Sequence, residues 1–269
     1  MLLYEKGAVV LSELAIVQPV CALSKDDVHD FWAKGFLALD AVVLPNELEE
    51  VRILLDPLFD RIDTLSAGPI NELGVALQDG SRSIAEINGT TRLEPQLLAT
   101  TAFARCHALA SDLLGVPTRF GGDHAIYKSA HSPHDTAWHQ DQAYSGHGLI
   151  ARGVTVWLPL QEVTEATGGM RFVPGSHLRG LMHHRRLNGD PTAHALEVVA
   201  ADTAGAISCP LPAGGATIHL SLTLHSAGPN HAEVPRRAWI LYFAVKKGFQ
   251  IRRFAQWSAR KLGGFGFRI

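Results

Sequence analysis

No stretch of about eighteen consecutive apolar residues occurs in the 269-residue sequence, so nothing in it reads as a membrane-spanning helix. Cysteine is scarce: Cys21, Cys106 and Cys209 are an odd number at wide spacing with no C-x-x-C pair, which excludes a disulfide framework and fits a reducing compartment. The start of the sequence has acids at Glu5 and Glu13, no basic n-region and no small-residue cleavage site, so a secretory signal is not expected and a cytoplasmic location is. The net charge is only −2, too small for a global field that would gather nucleic acid or an anionic membrane. The expected partner is therefore a small molecule, and the chain is expected to be a monomer or homodimer. Acids are missing altogether after residue 245, where Lys246, Lys247, Arg252, Arg253, Arg260, Lys261 and Arg268 follow. This basic tail reads as solvated surface, with local attraction of an anionic substrate group as the sharper alternative.

What is present is an ordinary globular balance of 46% apolar and 19% charged residues, enough to bury a large core. One domain over 1–269 is expected: a mainly helical part with a loop over 1–115, a β core over 116–245, and the tail over 246–269. Ser24 is placed to cap a helix over Asp26 to Asp40. Pro45 opens a longer one in which Leu48, Val51, Leu54, Leu55, Leu58 and Ile62 recur at helical spacing. Residues 66–94 are rich in glycine and poor in pattern, so they read as loop with short strand pieces. A third helix, about Glu94 to Leu114, stops at Gly115 with Pro117 beyond it. From Thr118 onward short β-prone runs alternate with turn residues: Arg119 to Lys128, Gly153 to Glu162, Gly169 to Pro174, Ala206 to Pro210, Ala216 to His225 and Arg237 to Val245. The fold class is mainly β with N-terminal helices, a barrel or jelly roll carrying the chemistry.

Residues 138–141 read Trp-His-Gln-Asp. His139 and Asp141 are two apart, so on an extended segment both leave the same side of the backbone and can share one metal. His225, from a later strand, would complete two imidazoles and one carboxylate, the set that holds non-haem Fe(II) on one face and leaves other positions open. With 14 histidines in the chain, H-x-D alone is weak, and most of these histidines must be structural or surface residues. His183, His184, Arg185 and Arg186 read as a solvated basic cluster, and Pro174-Gly175-Ser176-His177 as an architectural turn.

From about Phe31 to Val245 the sequence resembles the phytanoyl-CoA dioxygenase family of Fe(II)/2-oxoglutarate oxygenases. The resemblance is carried by Trp138 to Asp141, Trp157-Leu158-Pro159-Leu160, Gly168 to His177, and His225-Ser226-Ala227-Gly228-Pro229-Asn230 through Arg236. It implies a double-stranded β-helix, a cupin-like jelly roll, with His139, Asp141 and His225 as iron ligands, and Fe(II), 2-oxoglutarate and O2 as cofactor and co-substrates. It also implies a basic residue eleven positions after the distal histidine, here Arg236, gripping the far carboxylate of 2-oxoglutarate. Strand parity agrees, because Arg236 and Arg237 point to opposite faces and Arg236 shares its side with Ala238, Ile240 and Tyr242. Trp157 and Thr155 share a face and stand where the family places groups beside the co-substrate, although a core tryptophan is an ordinary alternative. Lys128 resembles a lysine that precedes the H-x-D motif in relatives, with a strand-end surface lysine as the plain alternative. One departure is that Ala227 replaces a serine that many members use on the far carboxylate, which leaves Ser226 or Thr155 to supply a hydroxyl.

The implied reaction hydroxylates an unactivated C–H bond of a small molecule, a secondary metabolite or acyl-type compound, releasing succinate and CO2. Asp141 argues against halogenation, where a small residue leaves room for halide. Desaturation, epoxidation or ring closure would use the same oxidant. The rivals are a cupin-like metal enzyme without 2-oxoglutarate and a non-catalytic small-molecule binding protein. Tyr144, His147 and Asn88 are the candidates for substrate contact.

Overall fold

The computed structural model describes residues 20, 22–62, 64–65, 70–74, 82–145 and 153–245. Among these, thirteen strands follow in chain order: β1 (Phe36–Leu39), β2 (Ile70–Glu72), β3 (Ile84–Asn88), β4 (Thr118–Lys128), β5 (Thr136–His139), β6 (Gly153–Pro159), β7 (Met170–Phe172), β8 (His184–Arg186), β9 (Leu196–Val198), β10 (Ile207–Cys209), β11 (Ala216–Leu220), β12 (His225–Ala227) and β13 (Arg236–Val245). They form a seven-stranded sheet ordered β1-β11-β6-β13-β4-β3-β2, a four-stranded sheet ordered β10-β7-β12-β5, and the ribbon β8-β9. All the pairings are antiparallel, and the two larger sheets form the jelly roll expected from the sequence. No helix of the described residues is long and apolar enough to cross a membrane.

The helices are α1 (Lys25–Lys34), α2 (Pro45–Phe59), α3 (Thr90–Leu93) and α4 (Thr101–Leu114). Ser24 caps α1 as its chemistry predicts: its hydroxyl accepts from the Asp27 N–H at 3.0 Å while the Asp27 carboxylate accepts from the Ser24 N–H at 2.8 Å. The helix is shorter than the expected Asp26 to Asp40. Gly35 takes φ +89° and ends it, and Phe36–Leu39 then pair with β11 at the edge of the large sheet. A four-residue apolar run has the same letters in a strand as in a helix turn, so periodicity could not separate the two. The expected helix from Glu94 is likewise divided, into a 3-10 turn at Pro95–Ala99 and α4, which Thr100 caps by accepting from the Phe103 N–H.

The large sheet is buried on both faces. Helices α2 and α4 cover one face, where Val154, Val156, Leu158, Trp239, Leu241 and Phe243 join Val51, Leu55, Phe103 and Leu109 in the main core. The other face looks toward the small sheet with Trp157, Ala238 and Ile240 against Met170 and Phe172. This explains why β6 reads as a continuous apolar run rather than an alternating one. On the helix side Asp123 is a buried carboxylate. It accepts from the Thr90 and Thr91 hydroxyls, the Thr91 N–H and, at 3.0 Å, Trp239 Nε1, pinning the start of α3 to β4. Cys106 and Cys209 are buried free thiols; Cys21, His147 and the basic tail lie outside the described residues.

Candidate active site

The expected run Ala216 to His225 is broken in two. The chain leaves the large sheet at Leu220, turns with the Thr223 N–H bonded to the Leu220 carbonyl, and enters the small sheet at His225. There His225 stands directly across from His139, with ring centroids 4.2 Å apart. Asp141 follows β5 at the start of a short 3-10 turn, Asp141–Ser145. Its Oδ1 lies 3.6 Å from His139 Nε2 and 3.3 Å from His225 Nε2, and one ligand atom from each of the three residues falls within 4.8 Å of the others. These three residues could hold a metal ion.

Backbone carbonyls prepare both imidazoles. A carbonyl only accepts, so His139 Nδ1 donates to the Ala137 oxygen at 2.7 Å and His225 Nδ1 donates to the Thr223 oxygen at 2.8 Å. Each Nε2 is then the ring nitrogen turned toward Asp141, the atom through which the ring would bind a metal. Burial, and then the neighbouring His225, pushes His139 down to about 4, so it is neutral and ready to coordinate near neutrality.

Asp141 is held by a histidine absent from the sequence-based candidates. His219 Nε2 donates to Asp141 Oδ2 at 3.1 Å, and Thr155 Oγ1 donates to the same oxygen at 2.7 Å. With Oδ2 engaged twice, Oδ1 is the atom left for a cation. Burial alone would push this carboxyl up, but His225 and His219 outweigh it and hold it well below the usual range. His219 was legible only through pairing: it lies opposite Thr155 in the β11–β6 register and packs against Phe172. Gln140, between the ligands, is fully buried. Its amide donates to the Gly180 and Leu222 carbonyls and accepts from the Met182 N–H, which ties the motif to two separate segments. Its own N–H donates to His184 Nε2 at 3.0 Å while His184 Nδ1 donates to the Met182 carbonyl. His184 thus corrects the reading of a solvated cluster, because both its ring nitrogens are used in supporting the metal loop. Arg185, paired with Glu197, keeps the solvated role.

A cavity of about 440 Å³ opens in front of these ligands. Arg236 lies on its wall, 2% exposed, with Ile240 and Tyr242 on the same face of β13. Its Cζ sits 5.4 Å from the centre of the Trp157 ring, yet its Nε and Nη1 have no hydrogen-bond partner among the described residues. Burial lowers its pKa only to about 10, so the guanidinium stays charged. A buried, unpaired cation is costly, and the arrangement fits an anion that belongs in this cavity. Arg237 points the other way and pairs with Asp56 of α2 at 2.6 Å.

Other candidates are placed differently. Lys128 is fully buried opposite Arg236 in the β4–β13 register, and its Nζ donates to the carbonyls of His134, Ala227 and Gly228, at 3.2, 3.5 and 2.5 Å. Burial, and then the neighbouring Arg236, push it well below the ordinary lysine range. It is neither a surface lysine nor on the cavity wall, since Nζ is turned to these backbone carbonyls. Ser226 borders the cavity, but its hydroxyl accepts from Arg171 Nε at 3.0 Å, and Arg171 stacks over Trp138 and pairs with Asp135. Thr155 is committed to Asp141. Among the described residues two cavity-lining hydroxyls lack a hydrogen-bond partner, Ser221 Oγ and Thr136 Oγ1, and Thr136 is the one directly across from Ala227. A bulge between the His225 and Ala227 pairings turns Thr136 to the same side as His139, which simple alternation could not foretell.

Tyr144 and Asn88 both line the cavity. The Tyr144 ring meets His139 edge-on at 6.0 Å, and its hydroxyl accepts from the Leu196 N–H. Asn88 donates to Glu86, a buried carboxylate on the cavity wall that the sequence reading passed over.

Comparison with known proteins places this geometry among relatives. The family model "Phytanoyl-CoA dioxygenase (PhyH)" matches residues 23–238. The crystal structure of EvdO2 from Micromonospora carbonacea var. aurantiaca superposes with a TM-score of 0.72 at 31% identity, covering 88% of this chain and 98% of that one. A second EvdO2 structure, complexed with 2-oxoglutarate, gives 0.71 at 28% identity, covering 84% and 92%. A probable alpha-ketoglutarate-dependent hypophosphite dioxygenase of Stutzerimonas stutzeri is 32% identical over 112 residues, a stretch that spans 40% of this chain and only 39% of that relative.

Proposed function

The chain belongs to the phytanoyl-CoA dioxygenase family, and on that premise we propose that it is an Fe(II)- and 2-oxoglutarate-dependent dioxygenase that hydroxylates a C–H bond of a small molecule. The observation that carries the reading is Arg236: a charged, buried guanidinium without an anionic partner, on the wall of the cavity that also holds the three-ligand set.

His139, Asp141 and His225 would hold the iron, with Asp141 binding through Oδ1 because His219 and Thr155 occupy Oδ2. Arg236 would take the far carboxylate of 2-oxoglutarate through its planar fork, with the Thr136 hydroxyl standing in for the serine that Ala227 replaces. Bound there, Fe(II) with 2-oxoglutarate and O2 supplies the oxidant through oxidative decarboxylation to succinate and CO2. The protein's part is positioning and shielding. Trp157, Met170 and Ile240 present apolar surface to the cavity, which keeps water away from Arg236 and strengthens its hold on an anion. The carbonyl bonds on both histidine Nδ1 atoms fix the rings so that neither must reorganise when a cation enters.

The test is anaerobic reconstitution with Fe(II), followed by O2 and 2-oxoglutarate, with succinate measured. Iron-dependent succinate is expected from the native protein and none from His139→Ala. No 2-oxoglutarate binding and no succinate from the reconstituted native protein would refute the proposal.

A further inference from the structure

The cavity has a second polar pole, formed by Glu86. Counting from β13, the strands β4 and β3 run outward along the same sheet, and Glu86 and Asn88 of β3 face the same side as His124 of β4 and Ile240 of β13. Glu86 is 8% exposed, and its two oxygens are not equivalent. Oε2 accepts from Asn71 Nδ2 at 2.8 Å and from Asn88 Nδ2 at 2.9 Å, with His194 Nε2 at 3.6 Å. Oε1 has no hydrogen bond among the described residues, and His124 Nε2 lies 3.7 Å from it. Burial alone would push this carboxyl up, yet His124, the Asn71 and Asn88 amides and His194 outweigh it and hold it below the usual range. A carboxylate fixed through one oxygen, with the other left open to a cavity, is an acceptor built for a ligand.

The pole is connected to the metal set. His194, against Glu86, stacks on Tyr144 with ring centroids 5.9 Å apart, and Tyr144 meets His139 edge-on. A molecule that spans from Glu86 past Tyr144 would lie before the ligand cluster while leaving Arg236 to a different anion. We propose that Glu86 is the substrate-positioning residue: Oε1 accepts from a hydroxyl or ammonium group of the substrate, so the substrate is a donor-bearing molecule rather than one that presents a carboxylate or phosphate at this wall. This rests on the oxygenase reading, in which Arg236 serves the co-substrate. It assigns the two poles opposite charge preferences and so explains how two polar molecules sort themselves within one cavity of about 440 Å³.

The test measures binding of three fragments, methyl glucoside, cyclohexylammonium and cyclohexanecarboxylate, to the native chain, Glu86→Leu and Glu86→Gln, each with and without Fe(II) and 2-oxoglutarate. In the native protein with Fe(II) and 2-oxoglutarate bound, so that Arg236 is occupied, at least one donor-bearing fragment should bind about tenfold or more tighter than the carboxylate, as expected for a charge-assisted hydrogen bond. Glu86→Leu should erase that preference. Glu86→Gln, which keeps an oxygen acceptor but no charge, should weaken cyclohexylammonium about tenfold and methyl glucoside by less than about threefold, so the two arms distinguish an amine from a polyol. Equal binding of all three fragments, or a preference that survives in Glu86→Leu, would overturn the assignment. Failure of the native protein to bind 2-oxoglutarate would overturn the oxygenase reading alone, because the loss of donor-fragment binding between the native protein and Glu86→Leu, which does not depend on whether Arg236 is occupied, still decides the pole.

Discussion

His219 shows how much a single hydrogen bond can decide. By engaging Asp141 Oδ2 together with Thr155, it leaves one carboxylate oxygen for a cation. His219→Phe, which keeps the packing against Phe172 but removes the donor, is expected to weaken Fe(II) binding about tenfold or more while the fold persists. Equilibrium titration with Fe(II) under anaerobic conditions measures this, and unchanged affinity would dismiss the role. Thr136→Val should weaken 2-oxoglutarate binding by about tenfold or more, the effect of one hydrogen bond to a carboxylate, without changing iron affinity. At this scale the sequence was readable where one local rule sufficed: H-x-D on an extended segment, and the opposed faces of Arg236 and Arg237. It was unreadable where the determinant was a partner distant in sequence. His219 needs the register with Thr155, Thr136 needs a bulge, and Glu86 needs β4 and β13, strands from distant parts of the chain, to set it on the cavity side of the sheet.

At the level of elements, boundaries depend on single backbone positions. Gly35 ends α1 with φ +89° and sits against the His177 ring and the Thr223 hydroxyl, which itself donates to the Gly35 carbonyl at 2.7 Å. A methyl group there would meet His177 and force an unfavourable φ. Gly35→Ala is therefore expected to destabilise the protein by about 2 kcal/mol or more, read as a lower denaturant midpoint; a midpoint within error of the native value would contradict this. The consequence reaches the site, because Thr223 also supplies the carbonyl that fixes His225. The helices were legible as amphipathic stretches and caps, and the core strands as short β-prone runs. What composition concealed was where a run changes partner: Ala216 to His225 is uniformly β-prone, yet it serves two sheets, because the turn after Leu220 is needed to bring His225 across from His139.

Across the whole molecule, the jelly roll places the buried Arg236, the His139, Asp141 and His225 cluster and the Glu86 carboxylate on the wall of one cavity, with helices closing the far face of the large sheet. Burial also gives the metal-free protein an acid sensitivity. His139 and His177 are pushed down to about 4 when folded, against an ordinary value of 6.5. Between about pH 6.5 and 4 the unfolded chain therefore binds more protons than the folded one, so stability falls as pH falls through that window and levels off below it. The loss is up to about 3 kcal/mol for each histidine. Denaturant unfolding of the metal-free protein at pH 7.5, 6, 5 and 4 should show the decline, and a flat profile would contradict it. The central claim, that the cavity is built around 2-oxoglutarate gripped by Arg236, is tested most directly by anaerobic calorimetry of 2-oxoglutarate binding to the Fe(II)-loaded native protein, Arg236→Leu and Arg237→Leu. The account predicts that affinity falls about hundredfold in Arg236→Leu with iron still bound, and that Arg237→Leu, which loses only its Asp56 pair, stays close to native. Unchanged binding in Arg236→Leu, or the larger loss in Arg237→Leu, would contradict it.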